Sequence, residues 1–253
     1  MSPSNLEPAF DEAASWNLID ANVHLGHSGV HGELALGKSA LLAEMDRFGI
    51  RQALVSHFTA EEYDISEGNA ALARDMDVRF VPAWSASPEA SILKELEQRK
   101  PKAVRLWFSP LRHNFSSAPW SAGELYDYLQ QRAILMVVSR EELDWDALVV
   151  ILKDFPKLQI LLLDVGYRSD RYLLPLLQRF PHLYFDSTSY VAHRQFESFV
   201  ETHGPERIVF GSRLPLYTPG AALGVLATAR ISDEARLAIA GSNLRRLLGE
   251  LPS

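Results

Sequence analysis

The sequence predicts a single (β/α)8 barrel followed by a C-terminal helix. Eight short apolar runs recur along the 253-residue chain, and each is followed by a segment of helical periodicity. This alternation implies parallel strands joined by right-handed crossovers, and eight such units in roughly 250 residues match the size of a barrel. A doubly wound open sheet is the competing architecture, but its glycine-rich nucleotide turn is missing after the first predicted strand.

The predicted strands occupy eight ranges: 17–25, 52–57, 79–85, 102–108, 133–139, 158–164, 182–188 and 207–212. Apolar residues at helical spacing fill the segments between them and predict a last helix over 232–248. No linker rich in proline, glycine or serine interrupts the series. We therefore expect one domain over 1–253, in which residues 1–16 form an N-terminal extension.

The composition excludes several classes of protein. Hydrophobic residues make up 47% of the chain and charged residues 23%, which is not the composition of a disordered chain. The net charge of −7 argues against a nucleic-acid partner. The chain has no cysteine, which excludes a disulfide scaffold, a thiolate metal cluster and a cysteine nucleophile. No secretory signal or membrane-length apolar run is visible, so we expect a cytoplasmic protein without a membrane partner.

The loops that follow the predicted strands indicate where a site lies. Segments 26–37 and 109–120, which lead from strand to helix, are long, whereas the helix-to-strand connections are short. In a barrel the strand-to-helix loops gather at one mouth, where catalytic sites are found. The alternative is that such long loops are tolerated insertions.

Polar residues recur at the ends of the predicted strands. Side-chain alternation predicts that Asp20, Asn22 and His24 share the inward face, while Ile19, Ala21 and Val23 pack under the helices. Burying many such groups is costly unless they satisfy one another or a ligand. The same position recurs at the ends of later strands, at His57, Arg105, Trp107, Ser139, Asp164, Asp186 and Arg213.

Four segments resemble a known family. Asp20-Ala-Asn22-Val-His24 resembles the D-x-H-x-H first-strand signature of the amidohydrolase superfamily, in its amidohydrolase-related, aminocarboxymuconate-semialdehyde decarboxylase-like group. ERIVFGSRLP (206–215), GSNLRRLLG (241–249) and FPKLQILLLDVG (155–166) resemble that group's strand-eight, closing-helix and strand-six segments. The resemblance runs in order over nearly the whole chain. It implies a barrel that hydrolyses small substrates or cleaves a carbon–carbon bond.

The resemblance also implies a divalent metal, usually zinc, but this sequence departs from the ligand pattern. Of the two first-strand histidines, Asn22 replaces one and His24 remains. Ser139 and Asp164 stand at the strand-five and strand-six positions, and Arg213 replaces the strand-eight aspartate. Because zinc prefers three or four His, Cys or carboxylate ligands, we predict no metal and no other cofactor. The alternative is an atypical metal site rebuilt from His24, Asp164 and His57.

Three functions remain open at this point. The first is a metal-independent, lactonase-like hydrolase or a C–C lyase that acts on a small carboxylated substrate. The second is a catalytically inactive pseudoenzyme that uses the mouth for binding, and the third is a metalloenzyme with atypical ligands. A homodimer is the expected assembly because the family often forms dimers. For the first function the predicted catalytic residues are His24, His57 and Asp164, and the predicted substrate-binding residues are Asn22, His27, Arg105, Trp107, Ser139 and Arg213.

Arg213 is the residue at which two interpretations diverge most. Its guanidinium, with that of Arg105, is suited to bind a substrate carboxylate or to stabilise an oxyanion. Asp164 is the predicted partner that holds Arg213 in place. In the alternative interpretation, Arg213 and Asp164 form only a structural ion pair in an abandoned metal site.

Overall fold

The computed structural model describes residues 13–32, 34–89 and 91–250. Nine strands form one sheet in the order β2-β1-β3-β4-β5-β6-β7-β8-β9, and all pairs are parallel except β1 with β2. The strands are β1 (Leu18–His27), β2 (Ala35–Leu36), β3 (Ile50–His57), β4 (Phe80–Ala86), β5 (Ala103–Leu106), β6 (Leu135–Ser139), β7 (Ile160–Leu163), β8 (Leu183–Asp186) and β9 (Ile208–Val209).

Helices connect these strands and complete the α/β alternation. They are α1 (Lys38–Arg47), α2 (Phe58–Glu62), α3 (Ile65–Arg74), α4 (Ser91–Arg99), α5 (Pro119–Gln131), α6 (Trp145–Asp154), α7 (Asp170–Arg179), α8 (Gln195–His203), α9 (Pro219–Thr228), α10 (Asp233–Leu237) and α11 (Asn243–Leu247). A π-helical turn, Ala238–Ser242, joins α10 to α11 and makes the predicted C-terminal helix continuous.

The eight predicted strands all form, although most are shorter than their apolar runs. The two-residue strand β2 was not predicted, because it lies in the long loop after β1 and has no apolar run. A capping side chain in the sequence marks the start of α6. The side chain of Asp144 accepts a hydrogen bond from the Ala147 amide at 2.7 Å and so caps this helix.

Backbone hydrogen bonds bring the first and last strands together. The Ala21 amide donates to the Phe210 carbonyl at 2.9 Å, and the His24 amide donates to the Leu214 carbonyl at 2.8 Å. The buried side chain of Asn243 donates to the carbonyls of Pro205 and Ile208, so α11 is tied to β9. The carboxyl ends of β1 and of the segment after β9 therefore meet at the same edge of the sheet.

The start of the described chain also packs against the domain. Residues 1–12 of the predicted N-terminal extension lie outside the described residues. Ala13 and Trp16 are buried in the main hydrophobic cluster, and the Arg236 guanidinium lies 5.4 Å from the Trp16 ring. This last part of the predicted extension belongs to the packed domain.

Candidate active site

Strand β1 carries Asn22 and His24 to the polar end of the sheet by way of a bulge. The register with β3 shifts between Asp20 and Val23. The prediction that Asp20, Asn22 and His24 lie opposite Ile19 and Ala21 is wrong, because Ile19 and Ala21 belong to the inner apolar cluster. Of the three apolar residues Ile19, Ala21 and Val23, only Val23 packs with the outer cluster under the helices, as predicted. A bulge interrupts simple alternation and places neighbouring residues on one side.

The Asn22 side chain links two buried carboxyl groups. Its Nδ2 donates to Asp164 Oδ1 and Asp186 Oδ2, both at 3.2 Å, while its Oδ1 is buried without a partner among the described residues. Asp186 also accepts hydrogen bonds from the Asp164 amide at 2.8 Å and from the Thr188 hydroxyl. Burial, reinforced by the nearby charge of Asp164, raises the pKa of Asp186 above its usual range.

Arg105 is the most deeply buried cation of the site. Its side chain donates to Ser139 Oγ at 2.7 Å, and Ser139 Oγ in turn donates to Asp164 Oδ2 at 3.2 Å. The guanidinium lies 4.5 Å from the Trp107 ring, whose Nε1 donates to Ser85 Oγ at 2.9 Å. Arg105 Nε has no partner among the described residues. Burial lowers the pKa of Arg105, although nearby carboxylates oppose that effect.

Arg213 sits between two carboxylates at the outer end of the same site. Its Nε lies 3.7 Å from Asp164 Oδ2, as the sequence predicted, and its side chain donates to Glu141 Oε1 at 2.8 Å. Arg213 and Asp164 both have positive φ values, +61° and +57°, so each turns out of extended geometry at its strand end. Burial alone would lower the pKa of Arg213, but Asp164 and Glu141 outweigh it and raise the value.

A second ion cluster adjoins His24. Its Nε2 lies 3.2 Å from Glu61 Oε2, and Glu61 Oε1 lies 2.9 Å from the Arg112 guanidinium. His24 and Glu61 are buried and Arg112 is partly buried, and the His24 ring stacks on Phe58 with centroids 5.0 Å apart. Burial alone would raise the pKa of Glu61, but its contacts with His24 and the charges of His24, Arg105 and Arg112 lower it to about 2.

These groups surround a small cavity of about 10 Å³. Of the predicted site residues, His24, Arg105 and Arg213 line it, and Asn22, Trp107, Ser139 and Asp164 contact one another or these three. The residues that complete the lining are His31, Phe58, Glu61 and Leu216. The structure therefore brings seven of the nine predicted residues together.

His57 and His27 do not line the cavity. His57 Nδ1 accepts a hydrogen bond from the Thr59 amide at 3.1 Å and caps α2, and its ring packs against Gly26. A Cβ at Gly26 would meet that ring at 2.4 Å, so glycine is required there. Burial lowers the pKa of His57. His27 is exposed where β1 pairs with β2. His57 is close enough to His24 for the two to interact electrostatically, and a catalytic or binding role for either histidine stays a prediction.

Three acidic or basic residues of the site were missed from the sequence. Glu61 lies in the short helix α2, Arg112 lies in the loop after β5, and Glu141 lies in the loop after β6. None of them occupies a strand end, which was the pattern used to select candidates. The paired glutamates at 61 and 62, four and five residues after the strand-ending His57, are the one sequence signal that points to the first of them.

Comparison with protein families gives one clear match. Residues 35–249 match the profile of the amidohydrolase family, which is most of the chain. No curated protein matches the chain significantly. No helix in the described part of the chain is long and apolar enough to cross a membrane.

Solved structures show the same fold at low sequence identity. An uncharacterised TIM-barrel protein from Bordetella bronchiseptica is 17% identical, with a TM-score of 0.72 over 92% of this chain and 98% of that chain. A 2,6-dihydroxybenzoate decarboxylase from Rhizobium is 13% identical, with a TM-score of 0.70 and the same coverage. A probable 2-pyrone-4,6-dicarboxylic acid hydrolase from Acinetobacter baumannii, with citric acid bound, is 13% identical, with a TM-score of 0.67 over 92% of this chain and 99% of that chain.

Proposed function

The chain belongs to the amidohydrolase family, and we propose that it is a metal-independent hydrolase or C–C lyase that acts on a small carboxylated substrate. The proposal includes a complete (β/α)8 barrel, supported by the hydrogen bonds that join β1 to the segment after β9. It also includes a cytoplasmic location and a homodimer. Among the similar structures are a decarboxylase and a probable hydrolase, both named for carboxylated substrates.

The observation that carries the proposal is the unpartnered Nε of Arg105. This guanidinium is 2% exposed and faces the cavity that His24 and Arg213 also line. A buried N–H without an acceptor is costly, and the cost is removed when an anion supplies the acceptor. A carboxylate is the small anion that a planar guanidinium recognises best by geometry. Arg105 and Arg213 would thus hold the substrate carboxylate beside the His24 imidazole.

The residues at the family's metal positions do not fit a divalent cation. Asn22 turns its amide N–H group, which cannot ligate, toward Asp164 and Asp186. Arg213 brings a fixed positive charge to within 3.7 Å of Asp164. Among the described residues, no three His, Asp or Glu side chains are grouped so as to hold an ion. We therefore assign no step to a metal.

The remaining groups can support either reaction. Hydrolysis needs a base that takes a proton from the attacking water and returns it to the leaving oxygen. Decarboxylation needs a group that places a proton on carbon as CO2 departs. His24 is the imidazole beside the bound carboxylate in this arrangement, and Arg105 with Arg213 would stabilise the negative charge that develops.

The test is a substrate panel of lactones, amides and β-keto or unsaturated carboxylates, assayed after chelation and again with added zinc or manganese. We expect turnover of one carboxylated class without metal. Arg105→Met should reduce kcat/KM for that class by about 10- to 100-fold, because a hydrogen bond to a charged group contributes about 1.5–3 kcal/mol. Arg132→Met is the matched control, since Arg132 pairs with Glu97 on the surface. Activity that appears only with metal would refute the proposal.

One observation favours a non-catalytic protein instead. The cavity of about 10 Å³ holds no more than about one water molecule, so the site as it stands has no room for a substrate beside His24. A non-catalytic protein would bind a small carboxylate when the lining opens, without converting it. Carboxylate binding measured by calorimetry, without turnover of any member of the panel, would support this second function.

A further inference from the structure

The His24–Glu61–Arg112 cluster differs from the rest of the site because its carboxylate is shared between two partners. Glu61 is 5% exposed, and each of its oxygens faces one partner: Oε2 lies 3.2 Å from His24 Nε2, and Oε1 lies 2.9 Å from the Arg112 guanidinium. Neither the strand-end pattern nor the family signatures assign a role to Glu61.

The short contact determines which ring nitrogen of His24 carries a proton. Glu61 is ionised at neutral pH because its pKa is lowered to about 2. The contact is an ion-pair distance and not an aligned hydrogen bond, since Nε2 has no hydrogen-bond partner among the described residues. The negative charge of Glu61 Oε2 at 3.2 Å nevertheless attracts an N–H dipole and repels a lone pair on that nitrogen. Nε2 therefore holds a proton, and in the neutral ring the free lone pair is at Nδ1. Nδ1 makes no hydrogen bond to the described residues, and the His24 side chain lines the cavity.

The cluster is supported at both ends by packing and hydrogen bonds. The His24 ring is stacked on Phe58 and lies 6.2 Å from the Trp107 ring. The Arg112 backbone is part of a turn in which its amide donates to the Ser109 carbonyl at 2.9 Å. Glu142 accepts a hydrogen bond from the Ser109 amide at 2.5 Å and so anchors that turn to the loop after β6. Packing thus fixes the plane of the His24 ring, and the turn positions the backbone of Arg112.

We propose that Glu61 is a positioning residue that fixes His24 as the Nε2–H tautomer and leaves Nδ1 as the proton acceptor in the cavity. The use of Nδ1 as a base rests on the proposed function, whereas the tautomer does not. Other charged or titratable groups near His24 are His57 on β3, Arg105 on β5, and Arg213 and His31 in loops at the cavity. Among the described residues, only Glu61 forms an ion pair with His24 Nε2.

The test is the tautomer of His24 in the free protein, read from the 15N shifts of its two ring nitrogens at about pH 8, where an ordinary imidazole is neutral. Signals of His24 are assigned by their loss in His24→Gln. We expect Nε2–H in the parent. In Glu61→Gln the new side chain has one accepting oxygen and one donating NH2 group. Because Arg112 can only donate, the glutamine oxygen must face Arg112 and the NH2 group must face His24. The tautomer should therefore switch to Nδ1–H.

Glu62→Gln is the matched control, because the neighbouring Glu62 accepts hydrogen bonds from Ser28 Oγ and the Gly29 amide and not from His24. It should leave the tautomer of His24 unchanged. An Nδ1–H ring in the parent refutes the proposal, even if Glu61→Gln does not fold. An Nε2–H ring that persists in a folded Glu61→Gln refutes it as well.

The outcome separates this inference from the proposed function. If the tautomer switches as expected but no member of the substrate panel is turned over, the proposed function fails and the positioning role stands. If turnover is found, Glu61→Gln should lower kcat by about 100-fold, the scale of one general base, with KM little changed. Turnover with kcat unchanged in that variant would refute the use of Nδ1 as the base.

Discussion

Two layers of side chains on the inner side of the sheet differ sharply, although the same strands carry both. The deeper layer is apolar: it includes Ala103 on β5, Val137 on β6 and Leu161 on β7. The layer at the carboxyl ends is polar: Arg105 follows Ala103 by two residues, and Ser139 follows Val137 by two. Both layers are almost fully buried.

The difference lies in what stabilises each layer. Burial is favourable by itself for the apolar side chains, so no specific partner is needed. For the polar layer burial is costly, and each group depends on hydrogen bonds or ion pairs to its neighbours. In and beside the polar layer, four buried atoms have no hydrogen-bond partner among the described residues: Asn22 Oδ1, His24 Nε2, Arg105 Nε and Arg112 Nε. The following predictions compare the two layers.

The largest stability effect is expected in the apolar layer. Leu161→Ala should lower the free energy of unfolding by about 3 kcal/mol, since it removes a fully buried side chain and leaves a cavity. Urea denaturation measures the loss. Val150→Ala is the control: Val150 is 43% exposed on α6, and its truncation should change stability by less than about 0.5 kcal/mol. Equal losses in both variants would contradict the assignment of Leu161 to the core.

A pH-dependent effect is expected from Asp20, which is fully buried and accepts hydrogen bonds from Ser212 and from the Asn22 amide. Burial, partly offset by these hydrogen bonds, raises its pKa from 3.8 to about 6. Between about pH 4 and pH 6 the Asp20 carboxyl group is therefore protonated in the folded state and ionised in the unfolded chain. That contribution to stability is complete below about pH 4 and is lost as the pH rises through about 6.

Asp20→Asn does not titrate, so its stability relative to the parent should rise between about pH 4 and pH 7, by at most about 3 kcal/mol. Denaturant unfolding at several pH values measures this difference. Asp127→Asn, on the exposed side of α5, is the control for loss of a carboxylate. A difference between Asp20→Asn and the parent that does not change with pH would show that Asp20 is ionised in the folded state.

A smaller effect is expected where Arg213 meets Asp164. Arg213→Asp replaces an attraction by a repulsion between two carboxylates, which is about 4 kcal/mol at 4 Å and an effective dielectric constant of 20 before any relaxation. Protonation or opening of the mouth should reduce the net loss to about 2 kcal/mol. The variant should melt at a lower temperature and bind small carboxylates more weakly.

Arg213→Asp should not restore zinc binding, because Asn22 and Ser139 still lack the basicity to ligate. A zinc titration on this variant, and on the triple variant with Asn22→His and Ser139→His, tests the point. If the single variant binds zinc tightly and melts no lower than the parent, Arg213 is neither an ion-pair partner of Asp164 nor the group that excludes a metal.

The smallest effect is expected at Glu141, the outer partner of Arg213. Its side chain is 52% exposed, and ion pairs in contact with solvent contribute less than about 1 kcal/mol. Glu141→Gln should therefore change the free energy of unfolding by less than that amount in urea denaturation. A loss comparable to that of Leu161→Ala would mean that the outer ion pair, and not the apolar layer, holds the mouth together.

The sequence by itself determined the order of the eight parallel strands and of the helices between them, and it indicated the family. These features depend on local periodicity and on apolar runs such as Ile160–Leu163, which must be buried whatever surrounds them. It also identified seven residues that meet at the carboxyl ends of the strands, because parallel strands bring equivalent positions to one edge of the sheet.

Only the tertiary structure decided which groups pair. The bulge between Asp20 and Val23 and the positive φ of Asp164 change the direction of side chains that simple alternation places elsewhere. Glu61 and Arg112 meet His24 from a short helix and a loop, and no periodic pattern relates those segments to β1. Ion pairing depends on distance in space, and for residues far apart in the chain that distance is set only when the whole sheet has formed.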